Sequence, residues 1–146
     1  MKRYKILIVD DNVRLGEELE QFLNTRGPFI ARLVDNFHEA EGVALEMLPD
    51  LIVLDLWDEA TNSLKGEDLA ARFLDLPRLV SVPIIYYTAT KAIAQLGNIV
   101  GASDYQRTGE IILPATRPNA KPSRILTKGR TEPSKLLDKI LEVLKS

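Results

Sequence analysis

The sequence predicts a doubly wound α/β fold, in which helices cover both faces of a parallel β-sheet. Two observations predict it. Five apolar runs of strand length alternate with five helical patterns along the chain. The run at residues 51–56, LIVLDL, is an almost unbroken series of leucyl and β-branched residues, which is typical of a strand buried on both faces. Right-handed crossover connections then place helices on both sides of the sheet.

Length and composition are those of one globular domain. The 146 residues are enough to bury a core without cross-links, and 45% are hydrophobic and 27% charged. The absence of cysteine excludes disulfides and thiolate metal sites. No apolar run reaches the roughly 18 residues that a membrane span needs. The N-terminal MKRYKILIVDD is unlike a signal peptide, since its short apolar run ends in acids. We therefore expect a cytoplasmic protein that does not bind membranes.

The first part of the chain contains three predicted strands and two predicted helices. The strands are residues 5–9, 29–34 and 51–56, and the first helix is residues 12–25, ended by Gly27-Pro28. Asp35 or Asn36 is suited to cap the second helix, which ends before Pro49. This helix has apolar residues at helical spacing, namely Phe37, Ala40, Val43, Ala44 and Met47.

The second part keeps the alternation up to residue 101 and then departs from it. A polar loop is followed by a predicted helix at 66–76, a strand at 82–87 and a weaker helix at 91–101. Residues 102–123 hold Pro114, Pro118 and Pro122 and show little periodicity apart from the short apolar run 111–113. This proline density predicts a loop insertion. A short strand at 124–127 and a helix from about Pro133 complete the domain.

Polar side chains follow four of the predicted strands. They are Asp10 and Asp11, Asp55, Thr88, and Lys128. Ligands of open parallel sheets bind beyond the carboxyl ends of the strands, so we expect these side chains to lie together. Three carboxylates at one edge repel one another, and a hard divalent cation relieves that repulsion. Mg²⁺ suits a few carboxylate oxygens and leaves coordination positions for water and phosphate.

This set of groups indicates phosphoryl transfer. A bound Mg²⁺ screens an incoming phosphoryl group from the acids, so one carboxylate can attack phosphorus and form an aspartyl phosphate. Such transfer depends mostly on positioning and charge stabilisation, for which Thr88 offers a hydroxyl and Lys128 an ammonium.

Four motifs, in this order and each at a strand end, carry a family resemblance: ILIVDDN, PDLIVLDL, VPIIYYTA and ILTKG. Together they resemble the receiver domain of bacterial two-component response regulators, over nearly the whole chain. The resemblance implies a flavodoxin-like (βα)5 fold with a five-stranded parallel sheet in the order 2-1-3-4-5, as in CheY-like proteins. It also implies a phosphoprotein that a histidine kinase or phosphotransfer protein phosphorylates in a phosphorelay.

The resemblance assigns a role to each site residue. Asp55 is then the phosphoacceptor, and Asp10 and Asp11 hold Mg²⁺, Asp11 directly and Asp10 partly through water. The backbone carbonyl of Trp57 is a further Mg²⁺ ligand. Thr88 hydrogen-bonds one phosphoryl oxygen of the phosphorylated Asp55, and Lys128 pairs with another.

The chain departs from the family pattern in two places. The loop WDEATNSLKGED after Asp55 is about four residues longer than the family's and lacks its proline. The family's Lys-Pro does not follow the stretch 101–105, where Arg107-Thr108 stand instead. Later positions that compete for this role are Arg117-Pro118, Lys121-Pro122 and Lys128-Gly129. We assign the role to Lys128 because it alone follows an apolar strand and precedes a helix start. Ile125 then occupies the position of the family's aromatic switch residue, and Tyr86, Tyr87 or Tyr105 is the candidate substitute.

These features favour a stand-alone receiver that binds a downstream protein when Asp55 is phosphorylated, as a monomer or weak dimer. The chain ends one helix after the last strand, so we expect a single receiver domain over 1–146 and no output domain. We expect no enzyme activity beyond self-phosphorylation and self-dephosphorylation. The basic segment lacks interleaved aromatic residues, so we expect no nucleic-acid partner.

Two other functions remain open. The first is a phosphorylation-independent receiver that acts only as a protein-interaction module. The longer loop after Asp55 and the displaced lysine are the features that favour it. A phosphatase with an Asp-x-Asp motif is disfavoured because Trp57 stands where the second aspartate belongs.

Overall fold

A computed structural model of the chain describes residues 2–59, 61–89 and 109–146. Within them, six strands form one sheet in the order β2-β1-β3-β4-β6-β5. The strands are β1 (Tyr4–Val9), β2 (Phe29–Val34), β3 (Leu51–Leu54), β4 (Ile84–Thr88), β5 (Glu110–Leu113) and β6 (Ser123–Thr127). The first five strands in that spatial order pair in parallel, so their carboxyl ends meet at one edge. The predicted doubly wound fold is thereby confirmed.

Four helices lie in the described residues: α1 (Val13–Arg26), α2 (Phe37–Met47), α3 (Lys65–Leu74) and α4 (Pro133–Lys145). The Asn12 side chain caps α1 by accepting a hydrogen bond from the Leu15 amide at 3.2 Å. Asn36, rather than Asp35, caps α2 through the Glu39 amide at 2.9 Å. None of these helices is long and apolar enough to cross a membrane.

The two faces of the sheet bury separate apolar clusters, because side chains alternate along each strand. One face packs Leu7, Ile52 and Leu54 against α2 and α3, where Phe73 is fully buried. The other face packs Ile6, Ile8 and Val53 against α1 and α4, with Leu136 and Ile140 fully buried. A parallel sheet covered on both sides is rigid, and its strand ends therefore hold their side chains in fixed positions.

The predicted five-stranded sheet is wrong in strand number. Residues 110–113, inside the segment predicted as a loop, form β5, which pairs antiparallel with β6. The physical reason is that β6 otherwise leaves one edge unpaired, and the run at 111–113 supplies backbone partners together with an apolar side chain. Ile111 is 2% exposed and lies opposite Ile125. Prolines 114, 118 and 122 lie between β5 and β6, where no ladder hydrogen bond needs their missing N–H.

β5 is also held by charge. Glu110 accepts a hydrogen bond from Arg124 of β6 at 2.6 Å and pairs with Lys139 of α4 at 3.0 Å. These side chains are 15 to 22% exposed, so the ion pairs are screened less than surface pairs. β5 is therefore anchored to the sheet and to the last helix. The predicted helix at 91–101, and residues 102–108 of the predicted insertion, lie outside the described residues.

Candidate functional site

Asp55 occupies the centre of the site, directly after β3. Its amide donates to the Val9 carbonyl at 2.9 Å, which continues the ladder to β1 by one residue. The side chain is only 8% exposed. Oδ1 accepts hydrogen bonds from the Thr88 hydroxyl at 2.6 Å and from the Trp57 amide at 3.0 Å. These two donors fix the plane of the carboxylate.

Lys128 reaches this carboxylate from the end of β6. Its Nζ lies 3.2 Å from Oδ2 of Asp55 and 2.7 Å from Oδ2 of Asp10. The backbone holds it there, since the Lys128 amide donates to the Thr88 carbonyl at 2.9 Å. The structure thus brings together Lys128, the Asp55 carboxylate and Thr88, which the sequence placed at three strand ends.

The competing cations lie elsewhere. Arg117 is paired with Asp75 after α3. Arg117 and Lys121 both line a cleft of about 290 Å³ between α3 and β5, away from the carboxylates. Arg107 is outside the described residues. Lys128 therefore lies where its ammonium contacts Asp55. Its role toward a phosphoryl group stays a prediction.

Asp10 and Asp11 follow β1 and differ in their surroundings. Asp10 is 5% exposed, and its Oδ1 accepts from the Asn12 amide at 2.9 Å. Asp11 is half-buried, and its Oδ2 accepts from the Glu59 amide at 2.7 Å. Within the described part of the chain, Oδ1 of Asp11 is buried without a hydrogen-bond partner. Such an oxygen is costly unless a ligand satisfies it.

The three carboxylates form a group with the dimensions of a cation site. One oxygen each from Asp10, Asp11 and Asp55 lie within 4.8 Å of one another. Hard divalent cations take such oxygen ligands, and the unsatisfied Oδ1 of Asp11 fits that purpose. The residues present therefore fit Mg²⁺. The Trp57 backbone lies at the site through its amide, whereas its carbonyl as a ligand stays a prediction.

The pKa values of the site residues reflect this crowding of charges. Burial, and then the charge of Asp55, raise the pKa of Asp10 from 3.8 to about 6, against the opposing effect of Lys128. Burial also raises the pKa of Asp11, and the neighbouring Asp58 carboxyl adds to this rise, against the lowering effect of the Glu59 amide. For Lys128, burial lowers the pKa, but the charges of Asp55 and Asp10 outweigh it and the net pKa is raised. The acids hold protons more tightly than usual, as expected where like charges crowd.

Three further residues shape the site through contacts that the sequence did not predict. Asp58 is 7% exposed; its carboxylate accepts from the Thr61 hydroxyl at 2.9 Å, and its backbone bridges to Ser63. Gly66 lies against the backbone of Asp55, where an added Cβ would be 2.1 Å from the Asp55 carbonyl oxygen. Tyr87 donates its hydroxyl to the Thr131 carbonyl at 2.6 Å. Their signals are tertiary distances, which no local pattern carries.

A broad cleft of about 650 Å³ opens on the Asp11 side of the site. The start of α2, the loop after Asp55 and the first turns of α3 form its walls. Residues lining it include Asn36, Asp58, Lys65 and Asp68. The half-buried Asp11 carboxylate thus lies beside an opening to solvent, whereas Asp10 and Asp55 are buried behind it.

Neither protein-family models nor curated proteins match the sequence. Solved structures do. A CheY-like receiver domain protein from Methanospirillum hungatei superposes with a TM-score of 0.67 at 18% identity, over 99% of this chain and 95% of that one. A response regulator from Desulfuromonas acetoxidans gives 0.65 at 20% identity, over 97% of both chains. The receiver domain of a histidine kinase from Syntrophus aciditrophicus gives 0.65 at 22%, over 97% and 90%. The fold implied by the resemblance is confirmed.

Proposed function

We propose that this chain, which has the fold of response-regulator receiver domains, is a phosphoacceptor receiver of a two-component or phosphorelay system. The observation that carries the proposal is the environment of Asp55. Its carboxylate is buried, oriented by two donors on Oδ1, and contacted by an ammonium on Oδ2. Two further acids lie beside it. Converging groups of this kind, with a raised pKa among them, are typical of functional sites.

The phosphoryl donor we propose is the phosphohistidine of a kinase or phosphotransfer protein. The Asp55 carboxylate attacks phosphorus, the P–N bond breaks as the O–P bond forms, and the departing imidazole takes up a proton from solvent. Thr88 and Lys128, already in contact with Asp55, then have new acceptors in the phosphoryl oxygens. Such preorganised donors stabilise the charge that develops during transfer.

Asp10, Asp11, Asp55 and the Trp57 carbonyl would hold Mg²⁺ in this role. When bound, Mg²⁺ neutralises negative charge shared between the acids and the phosphoryl group. The chain's own part is to hold Asp11 by the Glu59 amide, which leaves its second oxygen for the metal. The Asn12 amide holds Asp10 in the same way. The Asn12 amide directly follows the two acids, and the Glu59 amide lies in the loop after β3.

The output we propose is a change in protein binding, not turnover of a substrate. A phosphoryl group on Asp55 withdraws Lys128 and Thr88 from their present contacts, and β4 and β6 carry that change toward the outer edge of the sheet. The conformational bias needed is a few kcal/mol. β5 and α4 are joined at that edge by Glu110 and Lys139, so a downstream protein would meet them there. We propose a monomer or weak dimer acting in the cytoplasm.

The test is phosphorylation of the purified protein with Mg²⁺ and a small phosphodonor such as acetyl phosphate. We expect mass spectrometry to show one added phosphoryl group on wild type and none on Asp55→Asn. Asp50→Asn is the matched control, because Asp50 precedes β3 at the opposite end and accepts from the Lys5 amide. Equal phosphate on Asp55→Asn and wild type, or none on either, contradicts the proposal.

The interaction module that needs no phosphate is the second candidate. The rebuilt loop favours it, because Asp58 and Glu59 bring further acids to the mouth of the site. The other motive, a displaced lysine, is weaker, because Lys128 contacts both Asp10 and Asp55. A wild-type protein that binds no Mg²⁺ and takes up no phosphate would favour this candidate over the phosphoacceptor.

A further inference from the structure

Tyr87 makes a buried hydrogen bond that connects the acceptor site to the chain after β6. Tyr87 is 8% exposed, and its hydroxyl donates to the carbonyl of Thr131 at 2.6 Å. The two residues are 44 positions apart in the sequence. Tyr87 precedes Thr88, so the two side chains point to opposite faces of β4. One contacts Asp55 and the other holds the turn that follows Lys128.

Two backbone bonds close that turn, and a third joins its start to β4. The amides of Arg130 and Thr131 donate to the Thr127 carbonyl at 3.2 and 2.9 Å, and the Lys128 amide donates to Thr88 at 2.9 Å. Gly129 stands in the middle of it. Glycine restricts the backbone less than any other residue. The Tyr87 hydroxyl adds a side-chain contact to this segment at its far end.

We propose that Tyr87 is a positioning residue for Lys128: by fixing Thr131 it holds the turn, and the turn holds the ammonium against Asp10 and Asp55. The inference rests on the proposed function, because it concerns the lysine of that same site. Tyr87 touches neither the acceptor nor the acids in this role. It acts through the backbone between Thr127 and Thr131.

The electrostatic surroundings agree with this closeness. Burial raises the pKa of the Tyr87 hydroxyl, the charge of Lys128 lowers it, and the charge of Asp10 raises it again. Tyr87 therefore lies near enough to both partners of the ion pair to feel their charges. The hydroxyl stays protonated at neutral pH, which is the state that donates to Thr131.

Tyr86 is the matched comparison inside the same strand. It is equally buried but lies on the other face, in the cluster packed against α2 and α3. Burial, and then the charge of Glu67, raise its pKa to about 12. Tyr86→Phe removes a hydroxyl from the same strand without touching the turn after β6.

The experiment is a double-mutant cycle on the rate of Asp55 phosphorylation, with Tyr87→Phe and Lys128→Met separately and together. We expect Tyr87→Phe to slow phosphorylation about fivefold, as the loss of one buried hydrogen bond would. In the Lys128→Met background the same change is expected to alter the rate by less than about 1.5-fold, because the two act as one unit. Tyr86→Phe is expected to leave the wild-type rate unchanged.

A merely structural role gives a different result. Tyr87→Phe would then slow phosphorylation by the same factor with and without Lys128, or not at all, and either outcome overturns the inference. If wild type takes up no phosphate, the proposed function fails separately, and the cycle is read from urea-unfolding midpoints. There, a smaller midpoint shift from Tyr87→Phe in the Lys128→Met background supports positioning of Lys128, and equal shifts overturn it.

Discussion

The ammonium nitrogen of Lys128 lies 3.2 Å from Oδ2 of Asp55, although the two residues are 73 positions apart. The contact exists because β3 and β6 both pair with β4, and their carboxyl ends therefore open at the same edge. The same nitrogen lies 2.7 Å from Asp10, so one cation serves two buried carboxylates. The lysine is thus a counter-charge to both carboxylates.

We expect Lys128→Met to lower the free energy of unfolding by about 2–4 kcal/mol, because it leaves two buried carboxylates without their cation. Urea unfolding with a chelator present measures this. The matched control is Lys121→Met, since Lys121 is exposed and lines the separate cleft beside β5. A similar loss for both variants would mean that the ion pairs with Asp10 and Asp55 contribute little.

Thr88→Val tests the donor on the other oxygen of Asp55. The Thr88 side chain is fully buried, and valine keeps its shape while removing the hydroxyl. The Trp57 amide still donates to the same oxygen, so we expect a loss of only about 1–2 kcal/mol in unfolding free energy. Thr88→Ser keeps the hydroxyl and should retain the phosphorylation rate that Thr88→Val loses. Equal rates for the two variants would remove Thr88 from the site.

Gly66→Ala tests the close approach of α3 to the acceptor. The added Cβ would lie 2.1 Å from the Asp55 carbonyl oxygen and 2.7 Å from Cα of Leu56, so backbone must move. We expect destabilisation by more than about 2 kcal/mol and weaker Mg²⁺ binding by calorimetry. Gly42→Ala is the control, because nothing lies within 4 Å of its Cβ in α2 and alanine favours helix by about 0.5–1 kcal/mol. Stability unchanged in Gly66→Ala would contradict the close contact.

The raised pKa of Asp10 predicts a pH dependence of stability. Its pKa is about 6 in the folded protein against 3.8 ordinarily, so the folded state binds this proton more tightly than the unfolded chain. The resulting stabilisation is complete below pH 3.8 and is lost as the pH rises through 6. Without metal, Asp10→Asn should therefore gain on wild type across that range, by on the order of 2–3 kcal/mol at most.

Urea unfolding at several pH values with a chelator checks this difference. Above pH 6, added Mg²⁺ should raise the free energy of unfolding of the wild-type protein, since a ligand that binds only the folded state stabilises it. If the difference in unfolding free energy between wild type and Asp10→Asn does not vary with pH, the pKa of Asp10 is not raised in the folded protein.

The ends of the strands could be predicted because each is marked by a local pattern, an apolar run followed by a polar residue. The apolar runs before Asp10, Asp55 and Thr88 fix where each strand stops, and parallel strands must then deliver those side chains to one edge. β5 was not predictable in the same way. Its four residues have no strong period, and they form a strand because β6 offers an unpaired edge to them.

The sequence by itself determined the doubly wound fold and the set of acids at its edge, since both follow from hydrophobic period and strand order. The tertiary structure alone decided which carboxylate oxygens are satisfied and which is not. It alone showed that the Glu59 amide holds one oxygen of Asp11, and that the Tyr87 hydroxyl holds the turn after Lys128. Those contacts join residues 44 and 48 positions apart. A distance of that kind depends on how the whole sheet packs, and no short stretch of sequence encodes it.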